Sequence, residues 1–533
     1  MARQINRIPI WIWLWGAILM MALIQLVILS SQHHFAYNIE PYPDTWFYAI
    51  GGRNLAQGRG LNLVYQESVT AISIPKAYPF YLWLVNILID HPLYFIIGNT
   101  ILAGAAIWLL FEIIKKAVVK GETKQNYLYP MGLGLYLLHG FILWIPQLAM
   151  IENLGLVLIM AICYVLLVWE NNWQQWLSLI GLGAICIITK YTYVPIFFIL
   201  VIIVIFKIWQ QKKYLWLGIL AGLGTVLAGG VWWWQPELLK SISYGASQLF
   251  SDQNEYFSII FLPNNLINLG RTMMGGDTPL LWLSHPLTSL LIGGGALYLI
   301  AKNWGDKNKR LNNIYLILIA LIILPLQLIF YVYDNRYLSQ LIPLLVVIII
   351  YNWRWPLEKE GRRNAIAVGI MAMLGLWFLT GQAGWYRKIV VDNFLYRSVA
   401  WQKEAVMFIG EYFENQENQD FALITNISPF YYDYYGWGKS EYLPLAPLYE
   451  YQGTTLWREK YDWEKFVADP VGFYTDILEA GKELYLTNAY VTNAEYVINH
   501  NELYKAAFEL ELVQVGCDQA CNIYKVVGLK NHE

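Results

Sequence analysis

Four ionisable residues at the ends of apolar segments carry the chemistry that this sequence can perform: Asp44, Glu152, Lys190 and Arg336. Ionisable side chains are costly at membrane depth, so each requires a physical explanation. A carboxylate can accept the proton of an attacking hydroxyl as a general base. Lysine and arginine can bind a phosphate and stabilise the charge that develops as it leaves. Two acids and two cations on one face therefore suit the transfer of a group away from a phosphate.

Each of these residues also has a simpler explanation. Asp44 follows a proline and precedes helix-compatible residues, so it is a natural helix N-cap, and Glu152 can cap the span that follows it. Lys190 and Arg336 can extend to the lipid headgroups, which for a single residue is the more common situation. However, cations are disfavoured in outer turns. Their occurrence together with the two acids favours a functional site.

Residues 43–60 predict a short helix that begins at Asp44, with Gly58 and Gly60 as its stop. One side of this helix is apolar: Trp46, Phe47, Ile50 and Leu55. The other side is polar: Arg53, Asn54 and Gln57. This pattern predicts a helix that lies along a membrane surface rather than crossing it. Arg53 is a further candidate for the site.

The composition is that of a polytopic membrane protein. The chain has 533 residues, 57% hydrophobic and 14% charged, whereas a soluble protein has roughly 25% charged residues. Its 25 Trp and 39 Tyr suit aromatic belts at both interfaces, and a net charge of −2 gives no indication of nucleic-acid binding. The four cysteines form no metal pattern. Cys517 and Cys521 can form a disulfide outside the cytoplasm or remain free thiols.

About eleven apolar runs are long enough to span a bilayer. They begin at Ile8, Pro92, Tyr127, Asn153, Trp173, Tyr193, Tyr214, Pro286, Leu311, Tyr337 and Ala365. Residues 77–89 form a run that is too short to span and predict an interfacial or re-entrant helix. With a cytoplasmic N-terminus, alternate loops are basic around Lys115, Lys207, Lys309 and Arg354, as the positive-inside rule requires, and only the inner loop 170–175 lacks a cation. We therefore expect a multi-pass protein of the plasma membrane.

This topology predicts two domains. Residues 1–385 form an all-α polytopic membrane domain with a first outer loop (31–91) that carries juxtamembrane helices, and a second large outer loop (234–285) that carries Arg271 and Asp277. Residues 386–533 form a small extracytoplasmic α/β domain. Its predicted strands are 421–425, 483–487 and 523–527, and its predicted helices are 398–413, 461–468 and 494–500. Asp277 can reach the site from a flexible lid, although a plain turn is the simpler interpretation.

The chain contains no Walker loop and no convincing dinucleotide fingerprint. Soluble nucleotide donors stay in the cytoplasm, whereas the four charged residues are predicted to face outward. The expected donor is therefore carried on a membrane lipid, with its tail in an apolar groove between spans.

These motifs resemble the GT-C superfamily of glycosyltransferases that use polyprenyl-phosphate sugars. The nearest group is the bacterial relatives of protein O-mannosyltransferase and of the aminoarabinose transferase that modifies lipid A. The matching segments are Asp44 with Leu55-Ala56-Gln57-Gly58-Arg59-Gly60, Pro75-Lys76-Ala77-Tyr78-Pro79, Glu152, Thr189-Lys190, and Arg336-Tyr337 with Pro343. The resemblance covers roughly the first 350 residues, since the C-terminal domain matches no known pattern.

The resemblance implies an inverting transfer from a polyprenyl phosphate. Asp44 would be the catalytic base and Glu152 a second acid that positions donor or acceptor. Lys190 and Arg336 would contact the lipid phosphate. Apart from the resemblance, we expect Arg271 to bind the donor phosphate too, with Asp277, Arg53 and Tyr337 as further candidate site residues. The family often has two adjacent acids in the first loop, whereas Thr45 follows Asp44 here. A divalent metal is therefore compatible with the site but not favoured, and no cofactor is expected.

The sequence thus predicts an integral-membrane glycosyltransferase that acts on the outer face of the plasma membrane. Its partners are a polyprenyl-phosphate-linked sugar, an acceptor of unspecified class (lipid, glycan or protein) and the bilayer. The alternatives are a transporter or flippase for a lipid-linked sugar, a polymerase or ligase of surface polysaccharide, and a membrane receptor. A transporter would place charges at the midplane and show repeated halves. A receptor would leave the outer-turn cations without a role.

Overall fold

The structure is a computed structural model. It describes residues 9–31, 44–65, 68–71, 75–91, 94–119, 128–137, 142–143, 145–234, 258–273, 294–329, 339–353, 402–414, 420–427, 429–435, 443–448, 458, 460–488, 495–517 and 521–530. The chain divides into two units. The helical unit comprises Met1–Ile28, Pro75–Tyr78 and Ile96–Asp392, and the mixed unit comprises Leu29–Ile74, Pro79–Phe95 and Asn393–Glu533. Most of the predicted first outer loop therefore belongs to the same unit as the C-terminal segment.

Helices dominate the N-terminal two thirds of the described chain. They are α1 (Ile10–Ser31), α2 (Asp44–Ala56), α3 (Ala77–Leu88), α4 (Tyr94–Val119), α5 (Leu128–Leu137), α6 (Glu152–Val168), α7 (Trp173–Thr189), α8 (Val194–Gln210), α9 (Leu215–Trp234), α10 (Leu262–Met273), α11 (Gly295–Lys302), α12 (Lys307–Leu328) and α13 (Leu341–Asn352). By length and composition, Ile10–Val27 and Tyr94–Lys116 can each cross a membrane, and most of the other helices are apolar but shorter. The 12-residue α3 agrees with the prediction that residues 77–89 are too short to span. The span predicted from Ala365 lies outside the described residues.

Contacts within the helical unit show that the helix ends next to the predicted basic loops lie together. The Lys115 ammonium lies 5.5 Å from the ring centroid of Trp11, near the start of α1. A Cβ built on Gly132 in α5 would lie 2.8 Å from Ile114 Cδ1 and 3.0 Å from Ile350 Cδ1. Ile114 is near the end of α4 and Ile350 is near the end of α13, so these two helix ends lie close together. Lys309 Nζ, near the start of α12, donates to the Tyr351 carbonyl at the end of α13 over 3.1 Å. We call this side of the helical unit the basic end.

The loop 170–175 also belongs to the basic end, although it has no cation of its own. Lys207 Nζ, near the end of α8, donates to Gln175 Oε1 over 2.9 Å. The same ammonium lies 5.4 Å from the ring centroid of Tyr315, in the first half of α12. Lys213 lies over the Trp176 ring in α7 at 5.7 Å. Lysines of the neighbouring helix therefore supply the positive charge that the sequence of this loop lacks.

The mixed unit is built on a five-stranded sheet. Its strands are β3 (Phe421–Thr425), β4 (Leu445–Pro447), β5 (Glu483–Thr487), β6 (Phe508–Gln514) and β7 (Ile523–Leu529), in the order β4-β3-β5-β7-β6. The strand β3 is parallel to β4 and β5, whereas β7 is antiparallel to β5 and β6. A separate hairpin follows α2, formed by β1 (Asn62–Tyr65) and β2 (Ser68–Ala71).

Helices pack around this sheet: α14 (Gln402–Glu414), α15 (Pro429–Tyr435), α16 (Trp463–Ala468), α17 (Pro470–Glu479) and α18 (Glu495–Ala507). Part of the core is aromatic, with Phe466, Phe473, Tyr474 and Tyr504 buried against the apolar strands. The predicted strands 421–425 and 483–487 have the observed bounds, and the predicted α/β class of the C-terminal region is confirmed. Cys517 and Cys521 form a disulfide that closes a short loop before β7.

Candidate active site

Helix α2 begins at Asp44, as the sequence predicts. Its end is set by two glycines, Gly58 and Gly60, which both have φ of +73°. The left-handed backbone lets the chain turn back, and Arg59 N donates to the Asn54 carbonyl over 2.8 Å. The local sequence therefore fixes both ends of the helix that carries the candidate base.

Part of the predicted polar side of α2 is buried in protein, whereas Gln57, just after the helix, is exposed. Arg53 and Asn54 have no solvent exposure. Arg53 forms an ion pair with Asp433 of α15, and its Nη1 donates to the Asp433 carbonyl over 2.8 Å. Periodicity identifies a polar side but does not distinguish water from a buried partner. Here the partner lies 380 residues away in the sequence.

A close approach of two backbones fixes α2 against α3. A Cβ at Gly52 would lie 2.7 Å from Leu82 Cβ and 2.9 Å from the Tyr94 hydroxyl, so only glycine fits without displacement. The Tyr94 hydroxyl donates to the carbonyl of Ala49. Helix α2 is therefore fixed on this side by packing and by a hydrogen bond.

Glu152 and Lys190 form a buried ion pair in the helical unit. Lys190 Nζ lies 2.5 Å from Glu152 Oε1, and the two side chains are 13% and 1% exposed. Glu152 is the first residue of α6, whose N-cap is Ile151, and no side chain caps this helix. Lys190 is the residue at which α7 ends, with an extended backbone. Helix capping by Glu152 is therefore excluded, and simple extension of Lys190 to the headgroups does not describe its contacts.

The segment that precedes Glu152, a 3-10 turn (Ile145–Gln147) followed by residues 148–151 outside any helix, is held by buried amide side chains. Asn99 Nδ2 donates to the carbonyls of Pro146 (3.2 Å) and Leu148 (2.8 Å). Asn153 Nδ2 donates to the same Leu148 carbonyl and to those of Ile145 and Met150, the shortest bond being 2.9 Å to Met150. Irregular backbone at membrane depth is tolerated only where other protein groups form hydrogen bonds with its N–H and C=O groups. These asparagines therefore determine the position from which Glu152 projects.

Three further hydrogen bonds extend this network. Gln25 Nε2 of α1 donates to the Leu143 carbonyl over 2.8 Å, and Gln147 Nε2 donates to Gln25 Oε1. The Tyr78 hydroxyl donates to Asn99 Oδ1 over 2.7 Å. None of these residues was predicted from the sequence. Gln25 and Asn99 nevertheless stand inside apolar spans, where a polar residue indicates a helix–helix hydrogen bond.

The ion pair lies at the end of the helical unit opposite to the basic end. Glu152 begins α6 and Lys190 ends α7, whereas Gln175 and Lys207 mark the other ends of α7 and α8. Tyr193, three residues after Lys190, accepts a hydrogen bond of 2.5 Å from Gln340, which directly precedes α13. We call this side the Glu152 end.

The other predicted site residues are only partly described. Arg271 lies in the last turn of α10, a helix whose Asn265 donates to the Leu328 carbonyl over 2.9 Å at the end of α12. Lys309, at the start of α12, belongs to the basic end, so Leu328 at the other end of α12 lies at the Glu152 end. Helix α10, which is hydrogen-bonded to Leu328, therefore lies at the Glu152 end too. Arg336, Tyr337 and Asp277 lie outside the described residues. Among the residues that the structure describes, no three His, Cys, Asp or Glu side chains are grouped as metal ligands.

Comparison with known proteins identifies the fold. No protein-family model matches the sequence, and the search of curated proteins gave no match. The solved structure of apo ArnT from Cupriavidus metallidurans is similar, with a TM-score of 0.56 and 10% sequence identity, over 96% of this chain and 98% of that chain. The structure of the same enzyme bound to undecaprenyl phosphate gives a TM-score of 0.54 and 11% identity over the same shares.

This chain has the fold of ArnT. The predicted GT-C resemblance is thereby confirmed at the level of the fold. Because the similarity extends over 96% of the chain, it also includes the C-terminal segment, for which the sequence predicted no relative. The fold is shared at 10% sequence identity, which shows the fold alone, so the chemistry depends on the residues of this chain.

Proposed function

We propose that this protein is an integral-membrane, inverting glycosyltransferase that moves a sugar from a polyprenyl-phosphate carrier to an acceptor on the outer face of the plasma membrane. The buried Glu152–Lys190 pair is the observation that carries the proposal. Burying two charges costs several kcal/mol per ion, and such a pair adds little to stability. A functional requirement for an ammonium at this position explains its retention.

Lys190 is suited to bind the phosphate of a lipid donor. Its ammonium is the more exposed member of the pair, whereas the Glu152 carboxylate is almost fully buried behind it. A phosphate that approaches Lys190 gains a charge-assisted hydrogen bond in a site of low dielectric. Arg271 and Arg336 would add cations, since transfer leaves the full phosphate charge on the carrier.

Asp44 is the proposed general base. It begins a helix that is fixed on one side by packing at Gly52 and on the other by the buried Arg53. A base on a fixed helix end meets the requirement that the reacting groups be held in a narrow range of geometry. The acceptor hydroxyl would lose its proton to Asp44 as it attacks the anomeric carbon from the side opposite to the phosphate, which inverts the configuration.

The arrangement of charges supports an outward orientation of this site. The basic end contains the lysines that the positive-inside rule assigns to the cytoplasm. The Glu152–Lys190 pair lies at the other end of the same helices. A lipid-linked donor is then required, because nucleotide sugars are not available on the outer face. A flippase would place its charges at the midplane rather than at helix ends.

Transfer can be tested with undecaprenyl phosphate that carries a radiolabelled pentose or hexose. Membranes from cells that produce the protein would be incubated with this panel, because such membranes contain the native acceptor. We expect the label to pass from undecaprenyl phosphate to a second molecule. Label that crosses the membrane while remaining on undecaprenyl phosphate would instead establish a flippase and refute the proposal.

Binding of the carrier can be tested separately. Undecaprenyl phosphate should raise the thermal unfolding temperature of the detergent-purified protein, because a ligand that binds only the folded state stabilises it. Undecaprenol, which has the same tail without the phosphate, is the matched control and should have little effect. Equal stabilisation by both lipids would show that the tail alone is recognised.

A further inference from the structure

The buried ion pair between Arg53 and Asp433 joins the first outer loop to the C-terminal domain within the mixed unit. Both side chains are 0% exposed. Arg53 Nη2 donates to Asp433 Oδ2 and Nη1 donates to the Asp433 carbonyl, so one guanidinium group binds both the side chain and the backbone of α15. The guanidinium carbon also lies 5.7 Å from the ring centroid of Tyr434. Arg53 is thus recognised by three groups on two consecutive residues.

Asn54 extends this contact to the hairpin after α2. Arg53 Nε and Nη2 donate to Asn54 Oδ1 over 3.2 and 3.1 Å. Asn54 Nδ2 in turn donates to the Asn62 carbonyl at the start of β1 over 2.7 Å. A second cation, Arg59, lies 3.7 Å from Asp433 Oδ1 and is 32% exposed. The last turn of α2 is therefore fixed to α15 and to β1 by one continuous polar network.

The chemistry of this network favours positioning over stability. A buried ion pair is weak evidence for stability, because apolar residues of similar volume often stabilise as well or better. An arginine instead fixes the orientation of its partner, since the donors of the planar guanidinium group bind only in defined directions. Arg53 lies in the last turn of the helix whose first residue is Asp44. A rigid helix held at that turn holds its first residue also.

We propose that the Arg53–Asp433 pair positions Asp44 for catalysis, so that the C-terminal domain is part of the scaffold of the active site. This inference rests on the proposed glycosyl transfer with Asp44 as base. Arg53 and Asp433 are positioning residues here, since they act through helix α2 and not on the substrate. The C-terminal domain would then be required for turnover even with an acceptor that it does not contact.

The test compares Asp433→Asn with the unsubstituted full-length protein. The substitution keeps the shape of the side chain and removes its charge. We expect kcat per folded molecule to fall roughly 10- to 100-fold, since a displacement of about 1 Å of a catalytic group can cost 100-fold in rate. The KM for the undecaprenyl-phosphate sugar should stay within about twofold. Amide hydrogen exchange should become faster in residues 44–56.

A second variant and a control keep the test decisive. Arg53→Lys retains the positive charge but loses the planar set of guanidinium donors. It should therefore also lower kcat with little change in KM, even if Asp433→Asn folds poorly. Asp476→Asn removes an ion pair with Lys465 that is exposed on the same domain, with side chains 47% and 56% exposed. It should leave both kcat and exchange unchanged, because exposed pairs contribute little.

The proposal is overturned if Asp433→Asn and Arg53→Lys keep kcat within about twofold of the unsubstituted protein, or if exchange in residues 44–56 does not change. A loss of folded protein with normal kcat in the remainder would show a purely structural role. Failure of the proposed function gives a different result, in which Asp44→Asn itself retains turnover. The two failures are therefore distinguishable.

Discussion

Glu152 and Lys190 lie 38 residues apart in the sequence, yet Lys190 Nζ donates to Glu152 Oε1 over 2.5 Å in the structure. The pair joins the start of one helix to the end of the next at the Glu152 end of the helical unit. Because the carboxylate is the more deeply buried of the two groups, the ammonium is the one positioned to receive an anion. The two residues should therefore respond differently to substitution.

Lys190→Met should weaken the binding of undecaprenyl phosphate about tenfold or more. A hydrogen bond to a charged group contributes about 1.5–3 kcal/mol, which corresponds to a factor of roughly 10–100 in Kd. Lys207→Met is the matched control, because Lys207 is a buried lysine at the basic end that binds the neutral Gln175. Binding can be measured by titration of thermal unfolding with undecaprenyl phosphate. Equal losses in both variants would remove the assigned role of Lys190.

Glu152→Gln should act in the opposite direction on binding. Removal of the carboxylate leaves Lys190 without its anionic partner, so undecaprenyl phosphate should bind at least as tightly as before. Sugar transfer should nevertheless fall, because the second acid is lost. The same titration, together with the radiolabel assay, measures both quantities. Weaker binding in Glu152→Gln would show that the pair acts as a structural unit.

Asn99→Leu should destabilise the protein by about 2–4 kcal/mol, since each buried polar group left without a partner costs about 1–3 kcal/mol. The substitution removes the Asn99 donor from the Pro146 carbonyl and the acceptor of the Tyr78 hydroxyl, whereas the Leu148 carbonyl keeps its hydrogen bond from Asn153. Thr100→Val is the control, because the Thr100 hydroxyl binds the Ile96 carbonyl of its own helix. Thermal unfolding in detergent measures the difference. Similar unfolding temperatures for both variants would contradict the role given to Asn99.

Cys517 and Cys521 should be resistant to thiol alkylation in native membranes until a reductant is added. They form a disulfide in the structure, and such bonds persist outside the cytoplasm. The other two cysteines, Cys163 and Cys186, are buried and should not react without denaturant. A maleimide–polyethylene glycol gel-shift assay before and after reduction gives the number of reactive thiols per chain. Two thiols reactive without reduction would argue against an extracytoplasmic C-terminal domain.

Sugar transfer should not depend on a divalent metal. The Glu152 carboxylate is already neutralised by Lys190, so it is a poor ligand for a cation. The radiolabel assay with and without EDTA provides the measurement, with magnesium and manganese added back as the control. Activity that is lost with EDTA and restored by either ion would show that a metal takes part.

Much of the local structure follows from local sequence. The strands at 421–425 and 483–487, the start of α2 at Asp44 and its end before Gly58 are set by β-propensity, capping and glycine conformation within a few residues. The basic loops predict which helix ends lie together, and the contacts of Lys115, Lys207 and Lys309 agree. Two strands of the sheet were not predicted: β4 has only three residues, and β6 is an edge strand whose seven side chains are mostly exposed.

The long-range polar contacts could not be obtained in the same way. The sequence places Arg53 on the polar side of α2 and makes it a candidate for the site, but it does not identify its partner, which is 380 residues away. A signal was nevertheless present, because Asp433 stands alone in the aromatic run Pro429-Phe430-Tyr431-Tyr432-Asp433-Tyr434-Tyr435. An acid in such surroundings needs a cationic partner. Which cation it binds depends on the tertiary fold.

The rate of sugar transfer by Asp44→Asn tests the central claim most directly. The measurement is the transfer of label from the undecaprenyl-phosphate sugar that the unsubstituted protein uses, with carrier binding determined on the same preparation. We predict that transfer falls at least about 100-fold, as expected for the loss of a general base, while undecaprenyl phosphate still binds normally. Near-normal transfer by Asp44→Asn would contradict the account.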